Sequence, residues 1–280
     1  MLMRLYATAM YLFLYGPIAL VVIFSFNAGE HAASFTCCSG EWYGRALENP
    51  FLMEALWNSL LIAATTAVLS SVVGTMAALG LQRVTGMLRV VFDGMIYVAI
   101  MIPGIVIGIA TLVFLVTAFD LINPLLAGIW LGEAGNAPHL SLGYGAVIAA
   151  HTMWTMALVI VVVRTRIQGM DRSLIEASMD LYAPPRRTFF QVTLPQLFPA
   201  ILAGFLLSFT FSFDEFIIAF FVAGSDTTLP IYIYSSIRRG ITPETNAIAA
   251  IVLVVSLTLL IAAQILLQAK ARSNRSAAPA

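Results

Sequence analysis

Glu176-Ala-Ser-Met-Asp-Leu-Tyr-Ala-Pro-Pro-Arg-Arg-Thr-Phe-Phe-Gln-Val-Thr-Leu-Pro195 is a polar, proline-punctuated stretch between two apolar runs, Tyr144 to Val163 and Leu197 to Val222. Leu174, Ala177 and Leu181 recur at spacings of three and four, which predicts a helix over its first part. Pro184 and Pro185 suit the opening of a second short helix, where a missing amide donor costs little. Phe189, Phe190 and Val192 give that helix an apolar side. Two short helices with exposed apolar residues, in water beside a membrane segment, read in two ways. They form either a docking knob for another protein or an ordinary loop packed against the helix ends.

The apolar runs flanking this stretch are part of a set. Runs of about twenty residues suffice for a helix to cross about 30 Å of hydrocarbon. They occur at about Leu5–Phe26, Leu56–Leu81, Val90–Phe119, Tyr144–Val163, Leu197–Val222 and Ile248–Leu267. The first is too long for a signal peptide and lacks a clear small-residue cleavage site, so it is expected to stay as a helix. Composition agrees. Of 280 residues, 60% are hydrophobic and 10% charged, and the mean hydropathy is +0.94. Soluble domains carry about a quarter charged residues. A net charge of zero leaves no electrostatic footprint for a nucleic-acid partner. The expected fold is an all-α membrane protein with six transmembrane helices, a single domain over 1–280. Its tail, about 270–280, is expected to be disordered.

Orientation follows from the basic residues. Arg4, Arg83, Arg89, Arg164, Arg166, Arg172, Arg186, Arg187, Lys270, Arg272 and Arg275 fall on the side of the termini; Arg45, Arg238 and Arg239 fall on the other. Basic loops stay in the cytoplasm, so both termini are expected there. Glu30, Glu41, Glu48, Glu54, Asp120, Glu133, Asp226 and Glu244 fall outside.

No enzyme motif is present. The chain has no G-x-x-x-x-G-K-[ST] loop and should not bind ATP itself, and it has no H-E-x-x-H. The adjacent Cys37 and Cys38 give no disulfide framework or metal spacing; two thiols are expected, a strained vicinal disulfide being the alternative. His151, inside the fourth run, reads first as a hydrogen-bonding group to a neighbouring helix, with a proton relay as the other reading. Ser59, Thr65, Thr66, Ser70 and Ser71 read as packing or backbone-bonding groups, and Gly74, Gly80, Gly104 and Gly108 as close-packing sites. Pro103-Gly104 is expected to bend or break the third helix.

Asp214 and Glu215 stand inside the fifth run. An acid in a span costs about 2.5–3.5 kcal/mol at the centre on insertion scales, so it faces a wet cavity or a partner. One reading is a bond to a neighbouring helix or a second subunit. The other is a carboxylate lining a pathway for a cationic substrate, with Asp214 first. No Lys or Arg is expected inside any other span, which weakens a pairing within the chain.

The loop resembles the "EAA" loop of ABC-importer permeases, with pattern E-A-A, three residues, Gly, nine residues, an apolar residue, any residue, then Leu-Pro. Glu176, Ala177 and Ser178 stand at the first positions and Leu194-Pro195 closes the pattern. Tyr182 occupies the Gly position, where Gly would allow a left-handed turn, so a differently shaped turn is expected. The resemblance makes residues about 164–195, including Asp180 and Ala183, the coupling loop to an ATP-binding subunit. A second likeness covers nearly the whole chain. Ser208–Gly224, Thr228–Ser235, Arg238, Gly240 and Thr242–Ala247 are similar to spermidine/putrescine-type permeases, as are Ser25-Phe-Asn27, Trp57-Asn-Ser59 and Met101-Ile-Pro-Gly104. Gly104 stands where these permeases often carry an acid.

The resemblance implies a type I importer-permease fold, with a peripheral helix at about 5–26 and a five-helix core over about 56–268. It implies a homologous permease partner forming a heterodimer, two ATP-binding subunits, an extracytoplasmic substrate-binding protein, and a bacterial inner-membrane location. ATP-Mg would be bound by the partner ATPase, with no cofactor in this chain. Asn58 and Phe211 join Asp214 and Glu215 as expected pathway residues, and a polyamine is the expected substrate. Aminophosphonates, other amines or iron complexes are the alternatives in the same class. An ATP-independent channel, an intramembrane enzyme and a non-transporting assembly subunit are the rivals from other classes.

Overall fold

A computed structural model describes residues 2–29, 34–36, 38–130, 138–240 and 242–276. Their helices, in chain order, are α1 (Leu2–Phe24), α2 (Glu41–Glu48), α3 (Pro50–Gly80), α4 (Gly86–Met101), α5 (Gly104–Ile129), α6 (Tyr144–Gln168), α7 (Ser173–Asp180), α8 (Pro185–Thr188), α9 (Leu194–Asp214), α10 (Ile217–Val222), α11 (Leu229–Arg239) and α12 (Pro243–Ser276). No strand occurs among the described residues; an isolated antiparallel bridge joins Asn27 to Cys38. Cys37 lies outside the described residues, so the expectation for the cysteine pair falls there too. Among the described residues, five helical stretches are long and apolar enough to cross a membrane: Met3–Phe24, Pro50–Arg83, Gly104–Ile129, Tyr144–Gln168 and Pro185–Asp214. The sixth expected span coincides with α12, whose described apolar stretch, Pro243–Thr258, is shorter.

Two spans differ from their expected form, and the third in chain order breaks at Pro103-Gly104 as its sequence predicts. The third is two helices. Ile102 leaves the helical region at ψ 133, as a residue before proline does, and Pro103 caps the start of α5. The fourth runs five residues past Val163, to Gln168, and carries Arg164 and Arg166 in its last turns. The fifth stops at Asp214 and restarts at Ile217, so Asp214 and Glu215 do not share one uninterrupted helix.

The chain divides into two compact units. In one, formed by the described residues of 1–53 and 233–280, α12 packs on α1 and α2. Asn27 organises the segment after α1 by donating to the Ser34 carbonyl at 2.8 Å and accepting from the Thr36 amide at 2.8 Å. Asn49 donates to Glu244 at 2.6 Å, joining the start of α3 to α12.

The other unit, Glu54–Tyr232, is built around α6. Toward its start, Ala146, Val147 and Ala150 pack with Ile62 of α3 and Ile218, Ala219 and Val222 of α10. Toward its end, Val159, Ile160, Val163 and Ile167 pack with Ala78 of α3 and Leu197 of α9. Val159 is the knob between two glycines. A Cβ on Gly74 would lie 2.9 Å from its side chain, and one on Gly204 would lie 3.2 Å away. Close approach through small residues is how membrane helices gain van der Waals contact. Gly108 fits the same pattern against Phe221, and Gly104 makes ordinary contact with Ile217. Gly80 does not: nothing lies within 4 Å of its Cβ position, which corrects its reading as a packing site.

Candidate functional site

The loop between α6 and α9 folds as two helices at a sharp turn. Asp171 accepts the Ser173 amide at 2.9 Å and starts α7. Hydrogen bonding by Ser173, side chain first and backbone second, holds the Asp171 carboxyl below the usual range. At the other end of α7, the Tyr182 amide reaches the Met179 carbonyl at 2.8 Å and the Ala183 amide reaches Ser178 at 3.1 Å. This pair of bonds is a Schellman motif, which requires a left-handed residue after the helix. Tyr182 supplies it, with φ +56, and is the sole non-glycine residue with positive φ among the described residues. The expected reshaping of the turn is therefore corrected. The backbone keeps the glycine-type conformation, at about 1–2 kcal/mol for a residue with a Cβ.

Pro184 then caps α8 and Pro185 opens it, and the Ser178 and Thr188 hydroxyls meet at 2.9 Å across the two helices. Phe189–Thr193 forms a π turn in which the Leu194 amide bonds to the Phe189 carbonyl. Pro195 explains it. Its ring would clash with the carbonyl four residues back in a regular helix, and one residue of extra backbone relieves that. Arg166 on α6 donates to the Gln196 carbonyl at 3.1 Å, tying the base of the loop to the neighbouring helix.

Glu176, Ala177, Asp180 and Pro195 are exposed, and Ser178, Ala183 and Leu194 are half-buried. Glu176 makes no ion pair with a described residue. Leu174, Met179, Leu181, Tyr182 and Phe190 are all exposed large apolar residues. The loop is an ordered knob whose apolar side is not consumed by its own unit.

The pathway candidates separate. Glu215 is extended, with ψ 112, and its Oε1 accepts the Ile218 amide at 2.9 Å, opening α10. Asp214 is exposed and has no hydrogen bond or ion pair to a described residue. Phe211, one turn back on the same face, is exposed and packs edge-on against Trp154 of α6 at 5.5 Å between ring centroids. Asn58 is buried, and its amide donates to the Thr227 carbonyl at 2.9 Å. It holds a loop within its own unit.

Three features were missed. Asp93 on α4 takes a bidentate bond from Arg164 on α6, with Arg89 at 3.8 Å. Asp226 accepts the Tyr144 amide at 2.8 Å and closes the start of α6. A seam of hydroxyls joins α9 to its neighbours: Ser208 meets Ser70 of α3 at 2.6 Å, and Ser212 meets His151 Nδ1 of α6 at 2.8 Å. The last pair matches the helix-to-helix reading of His151. Apart from Arg89 and Asp93, four positions apart on α4, the partners lie 61 to 138 positions apart, and sequence spacing carries no signal at that range.

The described helices form a multi-pass bundle with an ordered knob between α6 and α9, and this is the fold of type I ABC-importer permeases. The chain is similar to a bacterial ABC transporter involved in the import of the acidic polysaccharide alginate, with TM-score 0.67 and 17% identity over 99% of this chain and 95% of that one. It is also similar to the MetNI methionine ABC transporter, with TM-score 0.58 and 16% identity over 78% and 95%. Residues 70–275 match the model of the binding-protein-dependent transport system inner membrane component, and the chain belongs to that family. It is 37% identical over 244 residues to the putrescine transport system permease protein PotI of Escherichia coli, covering 86% of this chain and 82% of that protein. It is 32% identical over 270 residues to the spermidine/putrescine transport system permease protein PotC of Escherichia coli, covering 96% and 95%.

Proposed function

We propose that this chain forms half of the translocation pathway of an ATP-driven importer for a small cation of the polyamine class, putrescine or spermidine. The observation that carries the substrate class is Asp214. Its carboxylate ends α9 at a helix break, exposed and without a partner among the described residues. A charge there is costly unless it meets water or an opposite charge, and a di- or polyamine supplies the opposite charge. Phe211 beside it offers a ring face that attracts an ammonium group. The names of the relatives point to the same substrates.

In this reading a homologous permease completes the pathway as a heterodimer, and two ATP-binding subunits hold ATP-Mg and seat the α7–α8 knobs. An extracytoplasmic binding protein delivers cargo. Both termini lie in the cytoplasm and the membrane is the bacterial inner membrane. Closure of the ATPase dimer on ATP draws the knobs together and opens the pathway outward; hydrolysis resets it. The residues of this chain bind, orient and move; the bond-breaking step belongs to the partner.

The test is uptake of radiolabelled putrescine and spermidine by the complete importer in proteoliposomes. Asp214→Asn should lower uptake by about tenfold, equivalent to about 1.4 kcal/mol, with the complex still assembled. Glu215→Gln, which keeps an acceptor for the Ile218 amide, should lower it less. Unchanged uptake in Asp214→Asn, or an anionic cargo, would sink the electrostatic role. Uptake that persists without ATP would favour the channel.

A further inference from the structure

Tyr182 combines two properties that the chain itself does not reconcile. Its backbone sits at φ +56, a conformation in which a Cβ is disfavoured and glycine is not. Its side chain is 96% exposed, so the ring gains almost nothing from the unit that bears it. A residue held in a sparsely populated backbone region marks a place where strain serves a function. The Schellman bonds at Met179 and Ser178 fix the turn whatever residue stands there, so the tyrosine is not needed to make the turn. The left-handed conformation does, however, fix the direction of the ring. It projects from the corner of the knob, between α7 and α8, where Leu181 is also exposed at 81%.

We propose that Tyr182 is the aromatic anchor of the docking loop, its ring entering an apolar pocket of the ATP-binding subunit. The proposal rests on the reading that the knob docks such a subunit. Aromatic residues dominate interface energetics because they bury much area while losing little side-chain freedom. The apolar surface continues from Leu181 and Tyr182 to Met179 and Leu174 on α7, so the ring is one end of a larger patch. Arg186 and Arg187 follow on α8, both exposed, and neither forms an ion pair with a described residue. The matching pocket is therefore expected to be apolar at its floor and acidic at its rim. A lipid surface is the competing destination for an exposed tyrosine; the corner position between two short, exposed helices that carry Glu176, Asp180, Arg186 and Arg187 favours a protein.

The experiment uses the full permease pair in nanodiscs, with and without the ATP-binding subunit. Tyr182→Gly relaxes the backbone and removes the ring. Tyr182→Asn, which tolerates the left-handed region, removes the ring without glycine's added freedom. Both should weaken binding of the ATP-binding subunit by about tenfold or more, as truncating an interface anchor does. Tyr182→Phe should stay within about threefold of the parent. The melting temperature of the permease alone should be unchanged or higher for Tyr182→Gly. If either ring-less variant binds as tightly as the parent, the anchor is overturned. If Tyr182→Gly melts lower without the ATP-binding subunit, the ring belongs to the permease or its lipid, and the proposal also falls. Glu176→Lys separates the two levels of the argument. If it releases the subunit while the Tyr182 variants do not, the docking reading stands and only the anchor fails. If Glu176→Lys, Tyr182→Gly and Tyr182→Asn all leave it bound, the docking reading fails.

Discussion

Asn58 and Ser59 are neighbours on α3, yet each satisfies a different backbone group of one loop. Asn58 donates to the Thr227 carbonyl, and Ser59 accepts the Leu229 amide at 2.8 Å, the first amide of α11. Ser59→Ala strands a buried donor, which should cost about 1–3 kcal/mol and lower the thermal midpoint of the detergent-solubilised chain. Asn58→Ala should behave likewise, with the affinity for substrate unchanged in the folded fraction. A variant with parental stability and altered affinity would return Asn58 to the pathway. Asp214 and Glu215 teach the complementary point. Sequence gave two adjacent acids of equal chemistry, and helical geometry alone would separate them by about 100°. Their roles part because the helix ends between them, and Phe-Asp-Glu-Phe holds no Pro or Gly to announce that ending. Tyr182 was legible as an oddity at a glycine position, but not as a left-handed residue, since tyrosine has no preference for that region.

At the scale of elements, the apolar runs and the Pro103 break could be read directly, because span length and proline geometry are local properties. The junction of α8 and α9 could not, since Pro195 reads as a boundary and is instead absorbed by the π turn at Phe189–Thr193. That turn predicts a mutation outside any contact. Pro195→Ala restores an amide and removes the clash, so the segment is expected to regularise to an α-helix. Everything before it would rotate by about 100° about the axis of α9. ATPase stimulation should fall sharply although every exposed residue of the knob is intact; full stimulation would show that the turn does not set the knob's direction. Helix packing gives a second test. Gly204→Leu drives a side chain into Val159, and overpacking should cost about 1–3 kcal/mol, measured as a lower unfolding midpoint. Gly80→Leu, where the space is open, should leave it unchanged.

For the molecule as a whole, the basic residues predict sidedness. After reduction, an impermeant maleimide should label exposed Cys38 in intact spheroplasts; labelling only after lysis would reverse the orientation. Burial also differs between spans. None of the most apolar window of Met3–Phe24 is buried, against half of that of Tyr144–Gln168. The first can enter lipid and stay there. The second carries His151, whose partner Ser212 lies 61 positions further along the chain. At about 5–20 residues per second of synthesis, roughly 3–12 s pass before that hydroxyl exists. During that time a nascent α6 exposes an imidazole with no mate in the growing chain. The fourth span is thus made some seconds before the hydroxyl that its imidazole meets in the folded chain.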